Sequence, residues 1–348
     1  MPLMMDWGRI PTRWAERKNS RRPGLVESRD TRAECVRISL INNMPDAALE
    51  DTEVQFFELL DAASGDIPVR LQLYSLPEVP RSNRGQQHLS SFYYGIDDLW
   101  NSRFDGVIIT GTEPRRPDLR DEPYWSTLVD VLDWAGENTA STVLSCLAAH
   151  AGVLHSDGIR RHALKDKQFG VFDFRRVCEH ALTKGTENLM RIPHSRWHEV
   201  REEALASCGY VVLARSAEAG AELFVKKIRR SLFVHFQGHP EYSARTLLKE
   251  YQRDIRRFLV GERETYPSMP QGYFDTATTK CLAGFRENAL SHPQEELLAV
   301  FPEAVVVDTL ENTWHSSATH VYSNWLQYVA SRKAESSAFQ DVARVGRA

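Results

Sequence analysis

Apolar residues cluster in short runs, and between the runs they recur at three- and four-residue spacing. Short apolar runs bounded by turn residues read as strands, and the longer periodic stretches read as helices. Residues 36–41, 69–75, 106–110 and 142–145 are such runs; 48–60, 124–134 and 147–154 are helical stretches between or after them. Later in the chain, 210–214, 223–226 and 232–236 read as strands, and 243–259 as a helix. That helix puts Leu247, Leu248, Tyr251, Ile255, Phe258 and Leu259 on one stripe and Arg253 on the opposite face. Alternating strands and helices predict an α/β fold: a doubly wound, mostly parallel sheet with helices on both faces. Near-continuous apolar runs such as Val107-Ile108-Ile109 fit strands covered on both sides.

The pattern also divides the chain. Residues 1–34 carry Arg9, Arg13, Arg17, Lys18, Arg21 and Arg22 and little apolar order, which predicts a basic, flexible N-terminal arm. Residues 35–260 form the expected catalytic α/β domain. Periodicity weakens over 261–312, punctuated by Pro267, Pro270, Pro293 and Pro302, and this stretch reads as an insertion. Residues 313–332 regain order as a C-terminal segment packing on the catalytic domain, and 333–348 read as a flexible tail.

Composition narrows the function. A chain of 348 residues buries a substantial core, and its net charge of −4 gives no electrostatic basis for nucleic-acid binding. No apolar run is long enough to span a bilayer, and the first residues lack the apolar core of a signal peptide. The five cysteines are odd in number and fit no zinc spacing, so free thiols in a reducing cytoplasm and no metal are expected.

Two strand ends carry the chemistry. Cys146 closes the run 141–145 and opens a helix, where the helix N-terminus lowers a thiol's pKa and free amides can hold an oxyanion. Gly238 stops the run 231–236, followed by His239-Pro240-Glu241. In open α/β sheets ligands bind at the carboxyl ends of strands. A nucleophile, a base and an orienting carboxylate therefore converge on one predicted edge. A core histidine bonded to Glu241, or a metal set of His235, His239 and Glu241, are the competing readings. The metal set needs helical spacing of the histidines, and this segment reads as a strand.

With these residues in place the chain resembles the homoserine O-succinyltransferases, which share the fold of class I glutamine amidotransferases. The matching motifs are Asn43-Met44-Pro45, Thr52-Glu53, Gln55-Phe56, His88-Leu89, Phe92-Tyr93, Phe104-Asp105-Gly106, Thr110-Gly111 and Tyr124-Trp125. They continue with Cys146, Lys167, Gly170-Val171, Pro193-His194-Ser195-Arg196, Gly238-His239-Pro240-Glu241-Tyr242, Arg253-Asp254, Trp314 and Asn324-Trp325-Leu326. The resemblance implies a nucleophile at Cys146, a general base at His239 and an orienting carboxylate at Glu241. It further implies Arg253 on the amino acid's carboxylate and Lys167 and Ser195 beside the substrates.

The activity implied is transfer of a succinyl group from succinyl-CoA to L-homoserine, a step of methionine synthesis, in a cytoplasmic homodimer with no bound cofactor. Acetyl-CoA as donor, L-serine as acceptor, a glutaminase of the amidotransferase type and a non-catalytic binding homologue stay open. Two departures from the family bear on this choice. The lysine that the family carries after Asn-x-Met-Pro is missing, because Asp46-Ala47-Ala48 follows Pro45; backbone N–H groups, first that of Leu147, would hold the oxyanion instead. In the loop after Gly111, Arg115 occupies the position that helps select the acyl donor in the family. An arginine there could pair with the distal carboxylate of a succinyl group.

Overall fold

The computed structural model describes residues 3–6, 8–19 and 35–345. One sheet holds β1 (Leu3–Met5), β2 (Val36–Ile41), β3 (Val69–Tyr74), β4 (Gly106–Ile109), β5 (Ser141–Ser145), β6 (His162–Arg176), β7 (Leu189–Glu199), β8 (Val211–Ser216), β9 (Gly220–Ile228) and β10 (Ser231–Phe236). The order across it is β1-β3-β2-β4-β5-β10-β9-β8-β6-β7. From β1 to β10 all neighbours are parallel. From β10 to β7 all are antiparallel. The parallel half is the doubly wound sheet that the apolar runs predict. The antiparallel half extends it through β6 and β7, where the sequence reading placed no strands. The first half of β6 is largely exposed and carries Lys165, Asp166 and Lys167, so it has no apolar run to betray it.

The helices are α1 (Thr12–Asn19), α2 (Asp46–Ala63), α3 (Asn83–Phe92), α4 (Ile96–Trp100), α5 (Trp125–Asn138), α6 (Leu147–Asp157), α7 (Glu202–Ser207), α8 (Thr246–Leu259), α9 (Thr276–Ser291), α10 (Glu303–Asp308) and α11 (His315–Val345). On one face α2 and α11 bury Phe56, Phe57, Tyr322 and Trp325 against Ile38 and Leu40. On the other, α5 and α6 bury Leu128, Val131 and Ala148 against Val107 and Ile109. A third cluster joins α8 to α9 and α10 around Tyr251, Leu282 and Trp314. Among the described residues no helix is long and apolar enough to cross a membrane.

Two boundaries differ from expectation. Within the supposed flexible arm, β1 adds an edge strand beside β3 and α1 packs Trp14 on Phe57, with ring centroids 5.4 Å apart. An isolated arm has nothing to bury, but these residues meet a waiting apolar edge. Arg21 and Arg22 lie outside the described residues. At the other end α11 continues through the expected tail to Val345, and Lys333 donates to the Cys35 carbonyl (2.7 Å) and to Asp105 (2.8 Å). The segment 261–312 is built of α9, α10 and a short 3-10 turn covering α8. The C-terminal segment reaches the sheet through Trp325, whose indole N–H donates to Ser141 Oγ at 2.9 Å. Trp314 reaches the loop after β10, donating to the Tyr242 carbonyl at 2.8 Å.

His235, on β10, is fully buried and stacked on Phe224 with centroids 4.7 Å apart, its ring edge-on to Tyr210. Burial pushes its pKa from 6.5 down to about 3. Between those values the unfolded chain binds the more protons, so the stability this neutral ring allows is full above pH 6.5 and drains away as pH falls toward 3. The loss amounts to about 2 kcal/mol at pH 5. Urea unfolding of wild type and His235→Leu at pH 7.5 and pH 5 should show a shallower pH dependence in the variant by about that amount. Parallel profiles would mean that His235 is not held neutral by the fold.

Candidate active site

Strand β5 passes into α6 through Cys146 alone, which takes φ 52 and ψ −111. A side chain at positive φ is strained, and such strain persists only where neighbours over-determine it. Here the Cys146 amide donates to the Phe236 carbonyl at 2.8 Å, tying the end of β5 to the end of β10. The Cys146 carbonyl accepts from the amides of Ala149 (3.0 Å) and His150 (3.2 Å), starting α6. The turn lifts the thiol to the carboxyl edge of the sheet, where it is only partly buried.

The turn after β10 brings His239 toward it. A Cβ on Gly238 would lie 2.6 Å from His194 Nε2 and 2.8 Å from the Pro193 carbonyl, so only glycine lets β7 pass this close. The His239 amide then donates to that same carbonyl at 2.9 Å. His239 Nδ1 donates to Glu241 Oε1 at 2.8 Å, and the ring stacks on Tyr242 with centroids 4.2 Å apart. The other nitrogen is left for Cys146, whose sulfur interacts electrostatically with the ring. Burial opposes a charged His239, but the Cys146 sulfur and the Glu241 carboxylate outweigh it and hold its pKa well above the usual histidine value. Glu241 Oε1 also accepts from Ser145 Oγ at 3.3 Å, so Glu241 is anchored to the strand that leads into Cys146. The structure thus joins Cys146, His239 and Glu241. His235 points instead into its aromatic sandwich, and among the described residues no group of side chains could hold a metal ion.

Leu147 is the first residue of α6, and its amide has no acceptor among the described residues. The loop after β4 runs against it: a Cβ on Gly111 would stand 3.0 Å from Leu147 N and 2.7 Å from Leu147 Cβ. A free amide at a helix N-terminus beside a nucleophile can hold an oxyanion. The segment that lacks the family lysine is held from elsewhere. Arg81, whose side chain is 4% exposed, donates to the Met44 carbonyl and to Ser75 Oγ (2.9 Å) and approaches Asp46 at 3.3 Å.

Three of the expected substrate-binding residues meet on one wall. Glu250 Oε2 accepts from Ser195 Oγ and lies 3.6 Å from Lys167 Nζ, while Glu250 Oε1 accepts from the Tyr242 hydroxyl at 2.8 Å. Lys167 donates to Asp254 Oδ2 at 3.1 Å, and Arg253 donates twice to Asp254 Oδ1, at 3.1 and 3.0 Å. Burial would raise the Asp254 carboxyl, but Lys167 and Arg253 outweigh it and hold it ionised below its usual range. This wall is connected to His239 through the stacked Tyr242. Arg115 is not part of it. Its side chain is exposed on the loop after β4, and its amide donates to Glu122 Oε1.

Sequence reading missed several participants. Glu250 carried a weak signal, one turn before Arg253 on α8 and so on the same face. A buried layer beneath the Gly238 turn carried none. Gln237 accepts from the Val200 amide (2.7 Å) and His150 (2.9 Å) and donates to Ala221 (2.6 Å). Glu222 accepts from the Gly238 amide at 2.9 Å. Arg196 donates to the carbonyls of His198 (2.8 Å) and Ala219 (2.7 Å). Arg161, half-buried after α6, interacts electrostatically with Cys146.

The model of the family described as homoserine O-succinyltransferase matches residues 24–336. A homoserine O-succinyltransferase of Rhodopseudomonas palustris is 43% identical over 303 residues, covering 87% of this chain and 91% of the relative. One of Bradyrhizobium japonicum is 44% identical over 294 residues, covering 84% and 90%. One of Methylorubrum extorquens is 40% identical over 299 residues, covering 86% and 88%. A solved glutamine amidotransferase of Thermotoga maritima superposes with a TM-score of 0.44 at 11% identity, over 84% of this chain and 98% of that one. With sequence matches that run through the strand ends, the elbow and the substrate wall, the chain belongs to the homoserine O-succinyltransferase family and is an acyltransferase.

Proposed function

We propose that this enzyme transfers a succinyl group from succinyl-CoA to the hydroxyl of L-homoserine by a ping-pong route through an acyl-cysteine. The observation that carries the reading is the strained Cys146 elbow facing a histidine already oriented by a carboxylate. As thiolate, Cys146 attacks the thioester carbonyl, and the Leu147 amide receives the charge that develops on oxygen. The tetrahedral species collapses, the C–S bond to CoA breaks, and the CoA thiolate leaves with a proton from His239. Exchange of one thioester for another has little thermodynamic cost, which suits cysteine to the first half-reaction.

In the second half-reaction His239 takes the proton of the acceptor hydroxyl as that oxygen attacks the acyl-cysteine. Glu241 holds the tautomer and balances the imidazolium, and Tyr242 fixes the plane of the ring. The wall beside it suits an amino acid: Arg253 for its carboxylate, Glu250 for its ammonium, and Ser195 and Lys167 to keep Glu250 in place. The pathway served is methionine synthesis. The five free cysteines accord with a reducing cytoplasm.

Mass spectrometry of the enzyme mixed with succinyl-CoA should find one succinyl adduct on Cys146, and Cys146→Ala should carry none and turn nothing over. An adduct elsewhere, or turnover by the alanine variant, would remove the cysteine from the mechanism. His239→Ala should lose activity by a factor on the order of 10² to 10⁴. Gly111→Ala should cut kcat by roughly 10-fold or more while the protein stays folded, because the new methyl pushes on the Leu147 amide. A Gly111→Ala enzyme with full kcat would place the oxyanion donor elsewhere.

A further inference from the structure

The turn that carries His239 is held amide by amide. The ladder between β9 and β10 ends with Phe236 opposite Leu223. Beyond it the Gln237 amide donates to the Glu222 carbonyl at 3.0 Å and the Gly238 amide to Glu222 Oε2 at 2.9 Å. The His239 amide then donates to the Pro193 carbonyl at 2.9 Å. Glu222 thus takes two successive amides, one with its backbone and the next with its side chain. Buried amides need acceptors, and where the chain leaves the sheet a carboxylate takes the place of the ladder.

His194 braces that carboxylate. The side chains of His194 and Glu222 are 0% and 1% exposed. Arg196 Nε donates to His194 Nδ1 at 3.1 Å, which leaves the proton of a neutral ring on Nε2. Burial lowers the His194 pKa, and Glu222 opposes that shift without reversing it, so the ring is neutral. Nε2 lies 3.0 Å from Glu222 Oε2, off the hydrogen-bond axis, against the same oxygen that accepts from Gly238. The ring is stacked on Phe174, with centroids 5.0 Å apart, and stands edge-on to Phe172 at 5.7 Å. A Cβ on Gly238 would lie 2.6 Å from Nε2, so ring and turn are in direct contact.

Glu222 Oε1 has no hydrogen-bond partner among the described residues. A buried carboxylate with one oxygen unpaired is a poor filling for a core, and an apolar side chain would avoid its desolvation. Such a side chain would also leave the Gly238 amide without its acceptor. What the carboxylate fixes is one peptide, and the residue that follows is His239.

We propose that Glu222, braced by His194, is a positioning residue for His239: it holds the Gly238–His239 peptide where the imidazole faces the Cys146 sulfur. The proposal rests on the acyl-cysteine reading, in which His239 serves both half-reactions. Glu241 orients the ring through Nδ1, whereas Glu222 holds the backbone from which the ring hangs. The two carboxylates therefore constrain different motions of one base. The residues of the substrate wall are carried by α8, β6 and β7, so loosening the Gly238 peptide should slow turnover before it weakens binding.

The test is steady-state kinetics of folded wild type, Glu222→Ala, Glu222→Gln and His194→Leu, together with alkylation of Cys146 by iodoacetamide against pH, followed by peptide mass spectrometry. Glu222→Ala should lose about 10- to 100-fold in kcat, with KM for each substrate changed by less than about 3-fold. Glu222→Gln keeps an oxygen for the Gly238 amide and should recover kcat to within about 5-fold of wild type, and His194→Leu should fall between the two. The alkylation midpoint reports whether the imidazolium still faces the sulfur. It should move up in Glu222→Ala and return toward wild type in Glu222→Gln. Full kcat in Glu222→Ala would overturn the proposal, as would a glutamine variant as slow as the alanine one, which would make charge and not the acceptor the acting property. Lost kcat with an unmoved midpoint would overturn it too, leaving Glu222 a role in the fold alone. Should Glu222→Ala not fold, the other two variants decide: full kcat and an unmoved midpoint in His194→Leu would remove the brace. Failure of the acyl relay would show separately, as a wild-type Cys146 that takes no acyl adduct while its alkylation still responds to Glu222.

Discussion

The single backbone bond from the Cys146 amide to the Phe236 carbonyl holds the active site together. It locks the end of β5 to the end of β10, and those two ends carry Cys146 and, three residues on, His239. Cys146 sits at positive φ, a conformation costing on the order of 1–3 kcal/mol, and nothing in its own side chain favours it. The strain survives because both strands are buried in the middle of the sheet, where β5 also pairs with β4 and β10 with β9. A site at a sheet edge could relax; this one cannot without unpairing the core.

The same logic explains the buried polar layer beneath the Gly238 turn. Gln237 and Glu222 are about 99% buried: Gln237 takes up the Val200 amide and the Ala221 carbonyl, and Glu222 the Gly238 amide. The bonds made by Gln237 stiffen this layer, because moving its amide would strand buried backbone groups. Tyr242 adds a second constraint, stacking under His239 while its carbonyl is held by Trp314 from the C-terminal segment. The imidazole is therefore positioned by a strand end, a carboxylate, an aromatic plane and a tryptophan more than seventy residues away.

What could be read from the chain follows from how local each signal is. Parallel strands buried on both faces announce themselves as apolar runs, so β2, β3, β4, β5 and β10 were legible to within a residue or two, and with them the places of Cys146 and His239. Strand β6 was not, because its outer half is exposed and charged and is held by pairing with β7. The ordered part of the N-terminal arm was equally silent: Leu3–Met5 becomes a strand only because β3 offers an unpaired edge. Arg253, Lys167 and Ser195 were named through family resemblance, and the geometry adds the Glu250 carboxylate and shows that Asp254, quoted only as part of a motif, binds both Lys167 and Arg253. Arg161 and Glu222 matter through neighbours distant in sequence, a relation that periodicity and spacing do not encode.

The missing lysine after Pro45 is best understood against this wider distribution of charge. A thiolate and a developing oxyanion both need positive potential, and a single lysine is only one way to supply it. Here Arg196 and Arg161 both feel Cys146 electrostatically: Arg196 is locked to the His198 and Ala219 carbonyls, and Arg161 makes one long bond to the Pro117 carbonyl. The first is a fixed charge that cannot move toward a substrate, so it contributes potential and rigidity. Arg81 donates to the Asn42 and Met44 carbonyls and pairs with Asp46, so the segment after β2 keeps a defined shape without a lysine.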